Sequence, residues 1–454
     1  MLTDALKKVH FIGIGGISLS SLALYLNENG VTVSGSDRSF SDKLVELNEK
    51  GCRVWVGSCP ENIKNPDLVV FSSAIPPCDE ELSFCRGKNI PCMERNAFLG
   101  LLCDDFSYCI GVSGTHGKTT VTSMLIKIFH DANKRFFGHV GGETPDFGNC
   151  FFTGNDYFIT EACEYKKSFL YLKPKIGIVL NAEADHPDTY ENVEEIYDAF
   201  YLFLHNAKRN GGLAIVNGDS VFYEKRLRFD DVITFGISEK NRFRATDIYE
   251  YKQGYKEFLI CDYGNPVGHV RLPIPGEHNV YNALSAFVCA YLAGIPPETV
   301  CAALNTFKGV KRRLEYVCKY LGCDVYCDYA HHPSEIKAAL KTLSDMSPGK
   351  ITAVFQPHTF SRTARLFDEF LRCFDKAERL IIVKEYPARE KPSDGKSASD
   401  LYKAVDFKEK YYCDNIIDAI VLLDKKILPD DVVVVLGAGD VANICNIIKN
   451  DCRI

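Results

Sequence analysis

Two glycine-rich turns, each lying between an apolar strand and a helix, restrict most strongly what this chain can fold into. The first, G-I-G-G from position 13, lies at the end of the predicted strand Val9–Ile14 and before a predicted helix Ser18–Glu28. The second, G-T-H-G from position 114, follows the predicted strand Tyr108–Val112 and precedes another helix. A strand, a tight turn and a helix in succession are typical of a parallel sheet covered by helices. The sequence therefore predicts an α/β protein.

The length of the chain and its other strand patterns predict three α/β domains. A chain of 454 residues is long enough for about two to four domains with buried cores. We predict a Rossmann-like N-terminal domain over residues 1–104 and a P-loop-type central domain over 105–312, which contains a small β-rich excursion at Val232–Pro273. A second Rossmann-like domain is predicted over 313–454, with apolar strands at Asp324–Asp328, Ile351–Phe355, Leu380–Val383 and Val432–Leu436.

The composition excludes several classes of protein. Apolar residues make up 46% of the chain, and no apolar run reaches the roughly 20 residues that a membrane-spanning helix needs. The net charge is −7, whereas proteins that bind nucleic acid usually carry an excess of basic residues. The N-terminus shows no signal-peptide pattern. We therefore expect a cytoplasmic protein that acts on small molecules and binds neither membranes nor nucleic acid.

The first glycine turn nearly matches a dinucleotide-binding fingerprint. Gly13, Gly15 and Gly16 would let backbone amides approach a diphosphate at a helix N-terminus, and Asp37 would hold a ribose hydroxyl. Ser18 stands where the fingerprint has its last glycine. Three interpretations remain open, namely an NAD site, a UDP-sugar site and a turn with a purely structural role.

The second glycine turn has the functional end of a P-loop. Gly117, Lys118 and Thr119 match the end of that motif, whereas Val112 stands where a strict P-loop has its first glycine. Amides at the helix N-terminus would bind phosphates, the lysine would neutralise the β and γ oxygens, and the threonine would reach Mg²⁺. The turn therefore predicts phosphate binding.

Two polar residues at predicted strand ends are candidate Mg²⁺ ligands. Glu161 follows the predicted strand Tyr157–Thr160, and His186 follows the predicted strand Ile176–Asn181. The carboxyl ends of parallel strands form the edge at which ligands bind. Mg²⁺ prefers oxygen, so the carboxylate is the better candidate and the imidazole the weaker one. Each could instead be a capping or surface residue.

Three further clusters contain candidate binding residues. Asn279 and Asn282 share one face of a predicted helix and could pair with an adenine edge or cap the helix. The basic run Lys311–Arg313 could be solvated, or it could place an arginine at a transferred phosphate. The H-H-P run at 331–333 and the P-H pair at 357–358 follow predicted strands, and with an arginine they form a candidate anion pocket.

The motifs, and the order in which they follow one another along the chain, resemble those of the Mur ligase family over nearly the whole sequence. The residues that carry the resemblance are V-H-F-I-G-I-G-G, V-S-G-S-D, G-T-H-G-K-T-T, E-A-x-E, A-D-H-x-D-T-Y, G-x-H-N-V-x-N-A-L, K-R-R-x-E, D-Y-A-H-H-P-S-E-I and Q-P-H-T-F-S-R-T. The resemblance implies ATP-dependent ligation of L-alanine to the carboxylate of UDP-N-acetylmuramate through an acyl phosphate, in peptidoglycan precursor synthesis, with Mg²⁺. The alternative within the family is a sister ligase that attaches a recycled wall peptide to the same sugar.

The resemblance also implies a role for individual residues. The implied catalytic residues are Lys118, His186 and Arg313. The implied ATP-binding residues are Gly114, Thr115, His116, Gly117, Lys118, Thr119, Thr120, His278, Asn279, Asn282, Arg313 and Asp328. The implied UDP-sugar-binding residues are Gly13, Gly15, Gly16, Asp37, Ser72 and Ser73. The implied amino-acid-binding residues are Tyr329, His331, His358 and Arg362, and the implied metal ligands are Thr119, Glu161 and His186.

Two departures from the family pattern bear on these roles. Cys163 and Lys166 stand where the family pattern E-A-D-E-S-D has acids, which changes the surroundings of the metal. Ile17 and Ser18 replace the usual small pair after the first glycines. The lost acids leave open a non-catalytic nucleotide-binding regulator. An NAD-dependent oxidoreductase would explain the first turn but would leave Lys118 without a role.

Overall fold

The computed structural model describes residues 5–186, 189–228, 231–388, 390–392 and 395–451. The described residues form two compact units. Unit 1 takes its residues from Met1–Ala182, Ile196–Arg244 and Leu284–Ala303, and unit 2 from Glu183–Glu195, Ala245–Ala283 and Leu304–Ile454. Within the described part of the chain, every helix is too short or too polar to cross a lipid bilayer.

The N-terminal part of unit 1 is a five-stranded parallel sheet with helices between its strands. Its elements are β1 (Lys8–Ile12), α1 (Ile17–Glu28), β2 (Thr32–Asp37), α2 (Asp42–Glu49), β3 (Arg53–Val56), β4 (Leu68–Phe71), α3 (Glu80–Gly87), β5 (Cys92–Glu94) and α4 (Arg95–Asp105). The strand order is β3-β2-β1-β4-β5, with every pair parallel. The order reverses between β1 and β4, so the turns after these strands open at the edge where such sheets bind ligands. The predicted Rossmann-like topology is confirmed.

Helix α1 forms because its apolar residues recur at helical spacing. Leu19, Leu22 and Leu26 are buried, and so is every other residue between Leu19 and Leu26, which means that the helix is covered on all sides. The helix begins at Ile17, directly after the glycine turn, and ends before Gly30, whose φ of +81° is a left-handed conformation that favours glycine. The glycine turn is therefore fixed between a buried strand and a buried helix.

A buried carboxylate ties the strands of this first sheet together. Glu81, on α3, accepts hydrogen bonds from the Ser36 hydroxyl, from Trp55 Nε1 at 3.1 Å and from the Cys59 amide at 2.9 Å. The Nε2 atom of His10 lies 3.7 Å from the same carboxylate. Burial alone would raise the pKa of Glu81, but these partners hold that pKa below its ordinary value. The carboxylate is thus ionised at neutral pH and satisfied by several donors.

Replacing Glu81 by glutamine should lower the free energy of unfolding by about 2–4 kcal/mol, because an amide offers one acceptor oxygen where several buried donors need a carboxylate. Urea unfolding followed by the fluorescence of Trp55, the single tryptophan of the chain, measures this loss. The exposed neighbour provides the control, since Glu80→Gln should change the stability by less than about 0.5 kcal/mol. Equal unfolding midpoints for the two variants would contradict the assigned role of the buried carboxylate.

The second sheet of unit 1 carries the second glycine turn at its centre. Its elements are β6 (Tyr108–Ser113), α5 (Lys118–Asp131), β7 (Phe136–Thr144), β8 (Gly148–Phe152), β9 (Tyr157–Glu161), β10 (Ile176–Val179), α6 (Val193–Arg209), β11 (Leu213–Asn217) and β12 (Ile233–Gly236). The strand order is β12-β11-β10-β6-β9-β7-β8, and only β8 is antiparallel to its neighbour. Because β6 lies between β9 and β10, the residues that follow these three strands meet at one edge.

Unit 2 contains most of the predicted β-rich excursion, from Ala245 onward. It consists of β13 (Phe243–Lys252), β14 (Tyr255–Asp262) and β15 (Asn265–Arg271), which lie side by side in that order and are followed by α7 (His278–Leu292) and α8 (Pro297–Asn305). Strands β14 and β15 form an antiparallel hairpin around the turn at Gly264, whose φ is +83°.

The C-terminal part of unit 2 is a six-stranded sheet. Its elements are β16 (Glu315–Tyr320), β17 (Cys323–Asp328), α9 (Pro333–Met346), β18 (Ile351–Phe355), α10 (Phe360–Arg365), α11 (Phe367–Phe370), β19 (Arg379–Val383), α12 (Ala398–Ala404), β20 (Lys410–Cys413), α13 (Ile416–Lys426), β21 (Val432–Leu436) and α14 (Asn443–Asp451). The order is β16-β17-β21-β18-β19-β20, and only β16 is antiparallel to its neighbour.

The central strands of this sheet are apolar because both of their faces are covered. On β18, Ala353 and Phe355 belong to one hydrophobic core and Val354 to the other. Successive side chains of a strand point to opposite faces, so a strand between two helix layers needs a continuous apolar run. Strands β17 and β18 end at the same edge of the sheet, which places the loops that follow Asp328 and Phe355 side by side.

Candidate active site

The second glycine turn of unit 1 is held in a conformation that needs its glycines. Gly114 has a φ of +146° and Gly117 a φ of +85°. A Cβ atom on Gly114 would lie 3.0 Å from the Cβ atom of Leu180. Asn181, which follows β10, accepts a hydrogen bond from the His116 amide at 2.8 Å and donates one to the His116 carbonyl at 3.1 Å. This asparagine, absent from the predicted site residues, fixes the shape of the turn.

Lys118 places a positive charge at the N-terminus of α5. Its Nζ atom donates hydrogen bonds to the carbonyl oxygens of Gly114 and Thr115 and to Glu164, whose Oε2 lies 2.9 Å away. Burial alone would lower the pKa of Lys118, but the buried Glu164 carboxylate outweighs it and raises that pKa above its ordinary value. The lysine is therefore charged at neutral pH, at a helix end that also favours anions.

Two of the predicted metal ligands belong to unit 1. Glu161 ends β9 and is the register partner of Val112, on the strand that leads into the turn. Its Oε1 atom accepts a hydrogen bond from the Gly141 amide at 2.6 Å, and no described residue forms a hydrogen bond with its Oε2 atom. Thr119 is buried in the first turn of α5. A carboxylate and a hydroxyl are oxygen donors of the kind that Mg²⁺ prefers.

His186, the third predicted metal ligand, lies in unit 2 beside a buried ion pair. Its amide donates to Asp185 Oδ1 at 2.7 Å. The same oxygen accepts hydrogen bonds from Arg362, from Nη2 at 3.0 Å and from Nε at 3.1 Å. Burial alone would raise the pKa of Asp185, but Arg362 holds it well below its usual range. Arg362 thus already binds a carboxylate, and the sequence prediction did not include this partner.

The four residues predicted to bind an amino acid come together in unit 2. The ring centre of His331 lies 5.4 Å from that of Tyr329 and 5.9 Å from that of His358. Arg362 Nη1 donates to His358 Nδ1 at 3.2 Å, which requires that this nitrogen carries no proton. Burial, and then Arg362, lower the pKa of His331 to about 3 and of His358 to about 4. The pocket therefore presents neutral rings around a guanidinium.

Arg313 and Asp328 lie next to this pocket. The guanidinium carbon of Arg313 is 5.2 Å from the ring centre of Tyr329. Asp328 accepts hydrogen bonds from the amides of Leu314 at 2.6 Å and Ala330 at 2.7 Å. Burial raises the pKa of Asp328 to about 6, although Arg313 acts in the opposite direction. Asp328 thus joins two loops, and its contact with a ribose stays a prediction.

The two asparagines of α7 are hydrogen-bonded to each other, a contact that fits the predicted position on one helix face. Asn282 Nδ2 donates to Asn279 Oδ1 at 2.9 Å, and Asn279 Nδ2 donates to the Pro275 carbonyl at 2.7 Å. Both asparagines are buried, whereas His278, the first residue of the helix, is exposed. Their role at an adenine stays a prediction.

The first glycine turn differs from the dinucleotide-binding fingerprint because two of its amides form hydrogen bonds within the turn. The Gly15 amide donates to Asp37 Oδ2 at 2.9 Å, and the Gly16 amide donates to the Gly13 carbonyl at 3.2 Å. Two of the amides that the sequence assigned to a diphosphate are therefore used inside the turn, and Asp37 helps to hold it. Ser72 and Ser73 follow β4 and are half-buried beside it. The amides left open by helix geometry are those of the first turn of α1.

Three sequence models of one protein family match successive parts of the chain, in agreement with the motifs and the fold. The model described as "Mur ligase family, catalytic domain" matches residues 8–107, "Mur ligase middle domain" matches 112–290, and "Mur ligase, glutamate ligase domain" matches 312–439. The chain belongs to the Mur ligase family. The resemblance seen in the sequence is confirmed, whereas the boundaries at 104 and 312 stay predictions.

Individual Mur ligases resemble the chain over nearly its full length. A UDP-N-acetylmuramate–L-alanine ligase of Clostridium beijerinckii is 40% identical over 97% of both chains. The crystal structure of the UDP-N-acetylmuramate-alanine ligase of Thermotoga maritima matches with a TM-score of 0.83 at 26% identity, over 98% of this chain and 99% of that one. A murein peptide ligase from Psychrobacter arcticus matches with a TM-score of 0.75 at 22% identity, over 98% of each chain. The predicted three-domain α/β architecture is confirmed.

Proposed function

We propose that this chain joins L-alanine to the carboxylate of UDP-N-acetylmuramate and converts ATP to ADP and phosphate, a step of peptidoglycan precursor synthesis. The observation that carries the proposal is the 40% identity, over 97% of both chains, to a UDP-N-acetylmuramate–L-alanine ligase. Residues 1–104 would bind the UDP-sugar, 105–312 the ATP and 313–454 the amino acid. The reaction would take place in the cytoplasm, where ATP is found.

The phosphates of ATP would bind at the turn that precedes α5. Lys118 would exchange its bonds to Glu164 and to the loop carbonyls for bonds to the β and γ oxygens, which carry more negative charge. Asn181 supports this role because it keeps the His116 amide and carbonyl, and so the whole turn, in one conformation. The helix N-terminus adds to the attraction.

The oxygen donors at this edge fit Mg²⁺. Thr119 and Glu161 would hold the ion, since Glu161 Oε2 has no hydrogen bond to a described residue. His186 would be a ligand of a second metal. When bound, Mg²⁺ offsets the negative charge that ATP and a carboxylate bring together.

The remaining assignments concern the amino acid and the rest of ATP. Arg362 would bind the carboxylate of alanine in addition to that of Asp185. The neutral rings of His331 and His358 support this because they leave Arg362 as the cation among the four residues. Tyr329 would line the alanine side chain. Arg313 would contact the transferred phosphoryl group. His278, Asn279 and Asn282 would lie at the adenine and Asp328 at the ribose.

The chemistry requires little covalent help from the protein. An oxygen of the muramate carboxylate attacks the γ-phosphorus, ADP leaves and an acyl phosphate forms. The uncharged amine of alanine then attacks the acyl carbon, and the tetrahedral intermediate expels phosphate and loses a proton to give the amide. Lys118 and Arg313 offset charge and position the reactants, an effect worth up to about 7 to 11 kcal/mol in well-oriented systems.

A substrate panel tests this function. ADP release should depend on UDP-N-acetylmuramate, L-alanine and Mg·ATP together, and omission of any one should reduce it to background. A wall tripeptide in place of alanine separates the L-alanine ligase from the sister ligase that recycles peptides. Turnover with alanine and none with the tripeptide is the expected result. The reverse pattern would assign the chain to the sister ligase, and no release with either acceptor would overturn the proposal.

A further inference from the structure

Arg95, the first residue of α4, is a half-buried cation with neutral partners. Its Nη1 atom donates to the Ser18 hydroxyl at 3.0 Å, and its Nη2 atom donates to the side-chain oxygen of Asn96. Among the described residues, no carboxylate forms an ion pair with it. Burial lowers the pKa of Arg95, because desolvation disfavours its charged form. The carboxylates of Glu161 and Glu94 attract the guanidinium from a distance, but neither forms an ion pair with it. A partly buried charge without a direct ion pair is costly, and such groups cluster at ligand sites.

The Ser18 hydroxyl, which accepts the hydrogen bond from Arg95, belongs to a longer chain of hydrogen bonds. Ser18 Oγ lies 2.8 Å from His139 Nε2, and His139 Nδ1 lies 2.9 Å from Thr160 Oγ1, which donates to the Glu161 carbonyl. A guanidinium can only donate and a carbonyl can only accept, so every hydrogen in the chain points from Arg95 toward Glu161. His139 is 3% exposed, which fixes its ring in place.

This chain of hydrogen bonds passes through Ser18, which follows the first glycine turn. Ser18 is the second residue of α1, and the amides of the first helical turn have no partner within the helix. The guanidinium of Arg95 is therefore bonded to a side chain in the first turn of the helix that follows the glycine turn. Two features, a partly buried guanidinium without a direct ion pair and the open amides of the helix end, favour an anion at this place.

We propose that Arg95 binds the diphosphate of the UDP-sugar and that Ser18 and His139 are positioning residues that hold its guanidinium. The inference rests on the proposed function, since it takes the UDP-sugar as the ligand of this turn. Arginine suits the task because its planar group can bond two phosphate oxygens at once. The proposal also explains why Ser18 stands where the fingerprint has a glycine, since its hydroxyl is used.

Calorimetric titration of the full chain with two sugars tests the role of Arg95. UDP-N-acetylmuramate and UDP-N-acetylglucosamine share the diphosphate, and the second lacks the lactyl carboxylate. Arg95→Gln should weaken both by the same factor, roughly 10- to 100-fold. Arg86→Gln, which removes an exposed guanidinium from α3, should weaken neither. A loss confined to UDP-N-acetylmuramate would assign Arg95 to the carboxylate and overturn the proposal, as would unchanged binding of both.

Variants of Ser18 test the positioning role without removing a charge. Ser18→Ala should weaken both sugars about 3- to 10-fold and leave kcat at saturating UDP-sugar unchanged, whereas Ser18→Thr, which keeps the hydroxyl, should retain the affinity. Equal affinities for Ser18→Ala and the unchanged protein would overturn this role. If Arg95→Gln fails to fold, the two Ser18 variants decide the proposal. Unchanged protein that binds neither sugar would instead contradict the proposed function.

Discussion

Replacing Lys118 by alanine should lower the turnover of ligation roughly a thousand-fold, since it removes the charge that would neutralise the transferred phosphate. The change also removes the lysine that pairs with the buried Glu164 carboxylate, so the free energy of unfolding should fall by about 3–5 kcal/mol. Binding of UDP-N-acetylmuramate should stay almost intact, because it depends on another turn. Steady-state kinetics, urea unfolding and calorimetry measure the three effects.

A double variant separates the catalytic effect of Lys118 from its effect on folding. Lys118→Ala combined with Glu164→Gln removes both charges, so most of the lost stability should return while turnover stays low. Recovery of turnover together with stability would show that the lysine acts only through folding. Loss of UDP-sugar binding in the stable double variant would contradict the separate assignment of the two turns.

Replacing Arg362 by alanine should raise the KM for alanine roughly 100-fold and lower the free energy of unfolding by about 3–5 kcal/mol. The first effect follows from loss of the cation proposed to bind the alanine carboxylate. The second follows because Asp185, only 7% exposed in its side chain, would lose its partner. Arg372→Ala, which removes an exposed arginine of the same unit, should change neither quantity appreciably.

Removing the partner of Arg362 as well distinguishes binding from stability. In Arg362→Ala/Asp185→Asn no buried charge is left unpaired, so the unfolding midpoint should return toward that of the unchanged protein. The KM for alanine should stay high, because the guanidinium is still missing. A normal KM in this double variant would show that Arg362 supports the fold and does not bind the amino acid.

Local patterns were sufficient to predict the strands and turns that build the fold. The buried runs Ile351–Phe355 and Val432–Leu436 were predicted at the bounds that the structure has, because a strand covered on both faces leaves a continuous apolar signal. Strand β1 ends at Ile12 and not at Ile14, because Gly13 already has a φ of +86° and turns the chain. Boundaries at such turns depend on backbone conformation, which the residue pattern shows only approximately.

The contacts that organise the candidate site could not be predicted in the same way. Asp185 and Arg362 are 177 positions apart, and Ser18 and Arg95 are 77 apart. Such pairs depend on packing between distant elements and leave no periodic signal. Asn181 is the exception, because a polar residue directly after the apolar strand Ile176–Val179 could have indicated a residue at the ligand-binding edge.

Transfer of a labelled oxygen tests most directly the claim that this chain is an ATP-dependent L-alanine ligase. UDP-N-acetylmuramate labelled with ¹⁸O in its carboxylate would be incubated with the protein, L-alanine and Mg·ATP, and the products analysed by mass spectrometry. The acyl-phosphate route predicts one labelled oxygen in the released phosphate and one in the UDP-N-acetylmuramoyl-L-alanine product. Unlabelled phosphate, or ADP formed without the alanine-containing product, would contradict the claim.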